Sequence, residues 1–208
     1  MIDVEDQGVP EDWDERYGST GQVWSGDPNG ALVAEVADLT PGRALDVGCG
    51  EGADAVWLAG LGWDVTALDV SEVALDRAAR RAEDAHVRLR LIHSGLVEAA
   101  LPPATFDLVS AQYPALRSSP GHDAERALAE AVAPGGVLLV VHHADFTAEV
   151  ARSHGIDLAD YVLPADVAAF LDQGWDVVLD ERRLRDVPRS GGGAHHTHDV
   201  VLRARRLR

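Results

Sequence analysis

Apolar residues fall in two rhythms along this chain, short runs of strand length and longer stretches repeating every three to four positions. Gly136-Val-Leu-Leu-Val-Val141 is continuously apolar, as a central strand covered on both faces must be. Val87-Arg-Leu-Arg-Leu91 alternates strictly, so one of its faces is wet and it belongs at a sheet edge. Phe106-Asp-Leu-Val-Ser110 lies between these extremes. With Ala44-Leu45 and Val65-Thr-Ala-Leu68 these runs predict strands over 43–47, 64–69, 87–92, 105–110 and 136–142. Helical stripes separate them. Leu32, Val33, Val36 and Leu39 form the first, opened by Asp27-Pro28 and stopped by Pro41-Gly42. Ala53, Val56, Trp57 and Gly60 follow an i, i+3, i+4, i+7 face closed by Gly62. After Ser71, a capping residue, Ala74, Leu75, Ala78, Ala79 and Ala82 turn inward and leave Arg77, Arg80 and Arg81 to solvent. Pro164 and Asp166 open a further helix through Phe170 and Leu171, ended by Gly174.

Strands alternating with helices predict a doubly wound α/β sheet, and an edge third strand gives the order 3-2-1-4-5. The end of the chain breaks the rhythm. Trp175-Asp-Val-Val-Leu179 and His198-Asp-Val-Val-Leu-Arg203 read as strands. The stretch between them, Val187-Pro-Arg-Ser-Gly-Gly-Gly193, is too short and glycine-rich for a crossover helix, so the two must be antiparallel. The length of 208 residues suits one domain, 1–208, with a polar arm over 1–30 in which Trp13, Tyr17 and Trp24 are set. Aromatics in a polar arm either pack on the domain's own core or close over a ligand as a lid.

Composition narrows the partners. A formal charge of −17 disfavours nucleic acid and anionic membranes, whose phosphates demand a basic face. The chain has no lysine, which excludes lysine Schiff-base chemistry. Its one cysteine, Cys49, excludes an internal disulfide framework and suits a reducing compartment. The acidic start Met1–Asp6 is no signal peptide and no apolar run is long enough to cross a bilayer, so a soluble cytoplasmic enzyme is the expectation.

The chemistry concentrates in Asp46-Val-Gly-Cys-Gly-Glu-Gly52, a strand, a glycine turn and a helix in succession. Such a turn brings bare backbone and a helix N-terminus to one point. Gly48, Gly50 and Ala53 formally match the dinucleotide pattern G-x-G-x-x-G/A, and Asp69 stands where a ribose-binding carboxylate belongs. Asp46 and Glu51 argue against a pyrophosphate, which they would repel, and for a cationic ligand. S-adenosylmethionine (SAM) carries an ammonium and a sulfonium and no phosphate.

Ala44-Leu-Asp-Val-Gly-Cys-Gly-Glu-Gly52 strongly resembles motif I of the class I SAM-dependent methyltransferases. Trp13–Tyr17 through Trp24 resembles the segment that covers the SAM site in the tellurite-resistance and thiopurine methyltransferase group. Ala133-Pro-Gly-Gly136 and the closing hairpin resemble further methyltransferase features. The resemblance implies a Rossmann-like, seven-stranded, mostly parallel sheet of order 3-2-1-4-5-7-6 with the last strand antiparallel. It implies SAM as cofactor, S-adenosylhomocysteine as product, and a small-molecule methyl acceptor. Asp46 then holds the ammonium, Gly48, Cys49 and Gly50 carry the backbone under the ligand, and Asp69 accepts the ribose hydroxyls. Val70 flanks adenine, Gln112 and Tyr113 emerge beside the methyl group, and Trp13, Arg16 and Tyr17 reach the site from the arm. Gly95 stands where the family often has an acid for the adenine amino group; the backbone near Leu96, or water, then replaces that contact. Cys49 reads as a small packing residue, with no basic neighbour to form a thiolate.

His142 and His143 end the fifth strand at the rim where ligands bind, and alternation predicts that one of them reaches the pocket, as a base or as a structural residue. Tyr113 is a further catalytic candidate. His122 and Asp145 are rim candidates without specific support. His195, His196 and His198 match no zinc spacing, and no metal is assigned. Two other classes stay open, an NAD(P)-dependent oxidoreductase and a non-catalytic SAM- or metal-binding protein.

Overall fold

The computed structural model describes residues 13–19, 21–185 and 196–208. Its strands are β1 (Arg43–Val47), β2 (Asp64–Asp69), β3 (Leu89–His93), β4 (Phe106–Gln112), β5 (Val132–His143), β6 (Trp175–Leu184) and β7 (His198–Arg206). The helices are α1 (Trp13–Gly18), α2 (Gly30–Glu35), α3 (Ala53–Gly60), α4 (Glu72–Asp84), α5 (Asp123–Ala131), α6 (Ala148–Ser153) and α7 (Pro164–Phe170). One sheet of seven strands runs in the order β3-β2-β1-β4-β5-β7-β6. Strands β1 to β5 pair in parallel and β7 runs antiparallel to both of its neighbours, as the resemblance implied.

Alternation along each strand divides the core. Leu45, Val47, Val109, Leu138, Val140 and Leu202 face one side and pack with Leu128 of α5 and Val167 of α7. Ala44, Val65, Leu108, Leu139, Val141 and Val201 face the other, against Leu32 of α2 and Leu58 of α3. Each of these leucines is fully buried, an anchor worth about 1.5–3 kcal/mol of hydrophobic transfer. The third strand is an edge, leaving Arg90 and His93 exposed. Among the described residues no helix is long and apolar enough to cross a membrane.

Several boundaries differ from expectation for physical reasons. The first helix starts at Gly30, because Asn29 is held by Asp54: the Asn29 backbone N–H and Nδ2 each donate to its carboxylate at 2.7 Å. It ends at Glu35, leaving Val33 on the surface. In α3 the buried face is Asp54, Ala55 and Leu58, one position round from the predicted Ala53, Val56, Trp57 and Gly60; the strongest anchor is an acid, which an apolar pattern cannot show. Strand β6 runs on from Leu179 to Leu184 through charged residues because main-chain pairing with β7 continues after the apolar signal stops. Charged side chains suit such an edge. The linker 187–193 and the start of the arm lie outside the described residues.

Candidate active site

The turn after β1 is stitched to the end of β2. The Gly48 and Cys49 N–H groups both donate to the Leu68 carbonyl, at 2.8 and 3.0 Å. Two glycines are required by contact as well as by conformation. At Gly50 (φ +52°) a Cβ would meet Tyr17 Oη at 2.9 Å, and at Gly52 (φ +79°) it would meet the Ala78 Cβ at 2.7 Å. Asp69, at the tip of β2, accepts from the Gly50 N–H at 2.8 Å and from the Ser71 N–H at 2.9 Å. Its carboxylate is thereby fixed in place, with lone pairs on both oxygens left over. Burial raises its pKa, and the two amide donors oppose that rise.

Asp46 is 2% exposed, and its Oδ2 has no hydrogen-bond partner among the described residues. Burial, then the charges of Asp54 and Asp69, push its carboxyl well above the ordinary carboxylate range. An unpartnered buried oxygen next to two further acids is a site built for a cation. Cys49 lies near the same acids; burial first, then Asp46 and Asp69, push its thiol up.

Glu51 does not act as the sequence suggested. Its carboxylate accepts from the Val23 N–H at 3.2 Å and the Trp24 N–H at 3.0 Å, and it pairs with Arg77 at 2.7 Å. It anchors the arm and its charge is balanced by that guanidinium. Arg77 also donates to the Tyr17 carbonyl, and Arg81 donates to the carbonyls of Glu51 and Gly26. These two arginines are therefore clamps, and the predicted solvated face of α4 holds the arm down. Asp14 accepts from Ser71 Oγ and the Val73 N–H at the start of α4. Trp24 Nε1 donates to Tyr17 Oη at 2.9 Å, above Gly50. The Arg16 guanidinium lies 5.5 Å from the Trp13 ring and 5.3 Å from the Trp24 ring, holding the two indoles together.

A cavity of about 790 Å³ joins these parts. Every sequence candidate for the cofactor site borders it: Asp46, Gly48, Cys49, Gly50, Asp69, Val70, Gly95, Leu96 and Gln112, with Trp13, Arg16 and Tyr17 from the arm. Gln112 donates through Nε2 to Ser110 Oγ at 3.0 Å, while its Oε1 is buried without a partner among the described residues. Beside Gly95 the cavity contains a carboxylate that the sequence reading missed. Glu98 folds back so that a Cβ on residue 95 would collide with its Oε2. The contact is with the far end of an exposed side chain, so an acid three residues on reaches the space beside Gly95.

The other end of the cavity is bordered by Tyr113, His142, His143, Phe146, Arg185 and His196. Both histidines of β5 reach it, where alternation predicted one: they sit at the end of the strand, with rings 6.2 Å apart at 68°. His142 is half-buried, and the desolvation this brings, followed by the neighbouring His143, lowers its pKa to about 4. The Tyr113 ring stacks on His143 at 4.1 Å, and His143 stacks on His196 at 4.0 Å. Tyr113 has φ +53°, an uncommon backbone for an aromatic residue and a mark of a functional position. Behind the stack lies Asp199, 2% exposed. It accepts from Tyr113 Oη at 2.9 Å and lies 3.5 Å from His143 Nδ1 and 3.8 Å from Arg185 Nε. The one signal for Asp199 in sequence was an acid inside an apolar strand run.

The remaining candidates lie elsewhere. His122 pairs with Glu125 outside the cavity. Asp145 pins the terminal hairpin, accepting from Thr197 and the His198 N–H. His196 and His198 are thus parted, one in the stack and one on Asp145. His195 lies outside the described residues. Among the described residues no three His, Cys, Asp or Glu side chains gather to hold a metal.

Known proteins share these features. A methyltransferase domain family model matches residues 44–136. An uncharacterized methyltransferase of Mycobacterium tuberculosis is 36% identical over 111 residues, which are 53% of this chain and 55% of that protein. The chain therefore spans about half the length of this curated relative. A solved structure described under the conversion of a disulfide bond into a thioacetal group during echinomycin biosynthesis superposes with a TM-score of 0.71. It is 26% identical, with 93% of this chain and 90% of that one covered. TehB from Haemophilus influenzae has the same fold, with a TM-score of 0.65 at 16% identity, over 85% of this chain and 62% of its own.

Proposed function

We propose that the chain is a class I SAM-dependent methyltransferase, a reading supported by the methyltransferase domain model over residues 44–136, and that it transfers a methyl group from SAM to a heteroatom of a small-molecule acceptor, as one domain spanning 1–208 whose arm closes over the cofactor end. The observation that carries the reading is the unpartnered, buried Asp46 oxygen beside Asp69 at the glycine turn. It wants a cation, and the pre-set Asp69 carboxylate wants hydroxyl donors. An aminoacyl nucleoside has both. A dinucleotide also has ribose hydroxyls, but it would set an anionic pyrophosphate against the Asp46 carboxyl, which disfavours the nicotinamide reading.

In this reading Asp46 holds the ammonium, Asp69 the ribose hydroxyls, and Val70 and Leu96 flank the base. Glu98, folded over Gly95, accepts from the adenine amino group in place of an acid at 95. SAM supplies a methyl carbon already activated by its sulfonium. The protein's own task is to hold an acceptor atom in line, at about 3–3.5 Å, and to keep water out. Tyr113, Gln112 and the end of β5 surround the point where the acceptor enters. The cap available there is short, residues 144–164 with α6, which fits a small acceptor.

Calorimetric titration with S-adenosylhomocysteine and with NAD tests the reading. We expect the first to bind and the second not. Asp69→Ala should weaken the first by about 10- to 100-fold, the worth of charge-assisted bonds of about 1.5–3 kcal/mol. Absence of binding by the unmodified protein, or unchanged affinity in Asp69→Ala, would sink the assignment.

A further inference from the structure

Resting on the methyltransferase reading, we propose that His143, oriented by Asp199, is the base that deprotonates the acceptor, and that the acceptor is an uncharged phenol or thiol with an apolar body. Three separate observations converge on this end of the cavity.

The first is the arrangement around His143. Its Nδ1 lies 3.5 Å from Asp199 Oδ1, within ion-pair distance and outside hydrogen-bond geometry, and the side chain is 16% exposed against 3% for the acid. A carboxylate on that side favours the tautomer with the proton on Nδ1 and leaves Nε2 as the basic nitrogen. Such contacts are often long before substrate arrives. Asp199 is itself fixed, since Tyr113 Oη donates to its other oxygen at 2.9 Å. The imidazole is further clamped between the Tyr113 and His196 rings, each nearly parallel to it. It has little freedom to turn.

The second is the charge of its surroundings. Among the described residues, the titratable and charged groups facing His143 include His142 on its own strand, Tyr113 after β4, Arg185 after β6, His196 before β7 and Asp199 on β7. The Arg185 guanidinium lies 5.1 Å from the Tyr113 ring and borders the cavity. In a chain of net charge −17, a fixed cation at this end favours an acceptor that becomes negative as it reacts. His142 is half-buried, and that desolvation, followed by the neighbouring His143, holds its pKa down at about 4.

The third is the apolar wall. Phe146, Val150, Ile156 and Leu116 border the same end of the cavity, with α6 supplying Val150. They offer surface to a hydrocarbon body, beside Arg117 and His154 on the same lining.

The step balances. The acceptor's O–H or S–H proton passes to His143 Nε2. The freed electron pair on that oxygen or sulfur forms the bond to the methyl carbon. The bond from that carbon to the sulfonium sulfur breaks, its pair stays on sulfur, and His143 returns the proton to water.

The test assays the full chain against a graded set of phenols and thiols, some ionised and some not at the assay pH. It also reads the histidine ring nitrogens by ¹⁵N NMR with S-adenosylhomocysteine bound. His143→Gln should lower turnover of the un-ionised acceptors by about 10²- to 10⁴-fold. The loss should shrink for acceptors that are already anions. Asp199→Asn should follow the same trend and should also shift the tautomer balance of His143, which a purely structural acid would not do. S-adenosylhomocysteine affinity should stay unchanged in both variants, confirming that they fold. Equal losses across all acceptors, full activity of His143→Gln, or a His143 tautomer indifferent to Asp199→Asn would overturn the proposal. Cofactor binding without turnover of any phenol or thiol would overturn this acceptor class alone, whereas absence of cofactor binding would refute the methyltransferase reading beneath it.

Discussion

Replacing Asp46 by asparagine should stabilise the ligand-free protein while it damages the cofactor site. Asp46, Asp54 and Asp69 are all buried and all have raised pKa values, burial being the first cause in each. Asp54 is compensated by two bonds from Asn29, and Asp69 by two backbone amides. Asp46 Oδ2 has no such partner among the described residues. Leaving a buried charged acceptor unmade costs about 1–3 kcal/mol or more. For a domain of this size each kcal/mol moves Tm by about 2–4 °C, so Asp46→Asn should raise it by about 2–12 °C at neutral pH. The sign with pH follows from linkage. A carboxyl with a raised folded pKa binds its proton more tightly folded than unfolded, so its penalty is absent below the unfolded value of about 3.9 and grows as pH rises through the folded one. The gap between variant and wild type should therefore open on going from acid to neutral pH. S-adenosylhomocysteine at about 100 times Kd should stabilise the wild type by about 2.7 kcal/mol, and most of that increment should vanish in the variant. Thermal melts at several pH values, with and without the nucleoside, read all of this. A variant less stable than wild type at neutral pH, or one with an undiminished ligand increment, would refute the reasoning.

Two further substitutions probe residues that the structure added. Glu98→Gln should weaken S-adenosylhomocysteine by about tenfold, the worth of one hydrogen bond to a charged group, and calorimetry should find the preference for adenine over a 6-oxo base in the same ligand erased. Arg77→Ala should leave Glu51 buried without its counter-charge and lower Tm by about 2–12 °C; hydrogen exchange should show lost protection from Trp13 to Trp24, while equal protection would mean that Glu51 does not need Arg77 to hold the arm.

Wherever burial follows main-chain rhythm, the fold was legible. Gly136–Val141 had to be central and Val87–Leu91 had to be an edge, and the order of the first five strands follows from those two facts with the glycine turn at the switch point, whereas the places of β7 and β6 came from the family resemblance. The face of α3 was not legible, because its inward residue Asp54 is polar and is there to bind Asn29. Nor was the extent of β6, whose charged outer positions hide a strand paired through its backbone to Leu184. At the site, residues fixed by local geometry could be found from sequence: Asp46, Gly50 and Asp69 all sit within one strand-turn-strand unit. Those that act across the fold could not. Asp199 meets Tyr113 over 86 positions of chain, and no local pattern encodes that pairing.

Glu51 shows how charge and placement must be read together. As an acid in a glycine turn it argued against a phosphate ligand, and that conclusion agrees with the methyltransferase domain model that matches residues 44–136. The argument itself fails, because the Glu51 charge is neutralised by Arg77 and its oxygens are occupied by the Val23 and Trp24 amides. The electrostatic case against phosphate therefore rests on Asp46 and Asp69, which face the cavity, with Asp54 behind them. Glu51 instead joins the turn to the arm. The same peptide unit that presents Gly50 to a ligand fixes the segment bearing Tyr17 and Trp24 above it. On the proposed function, packing and lid would be one device. A ligand seated on Gly48 and Gly50 has Trp13, Arg16 and Trp24 as part of its walls, so whatever loosens the arm must also loosen the hold on the ligand.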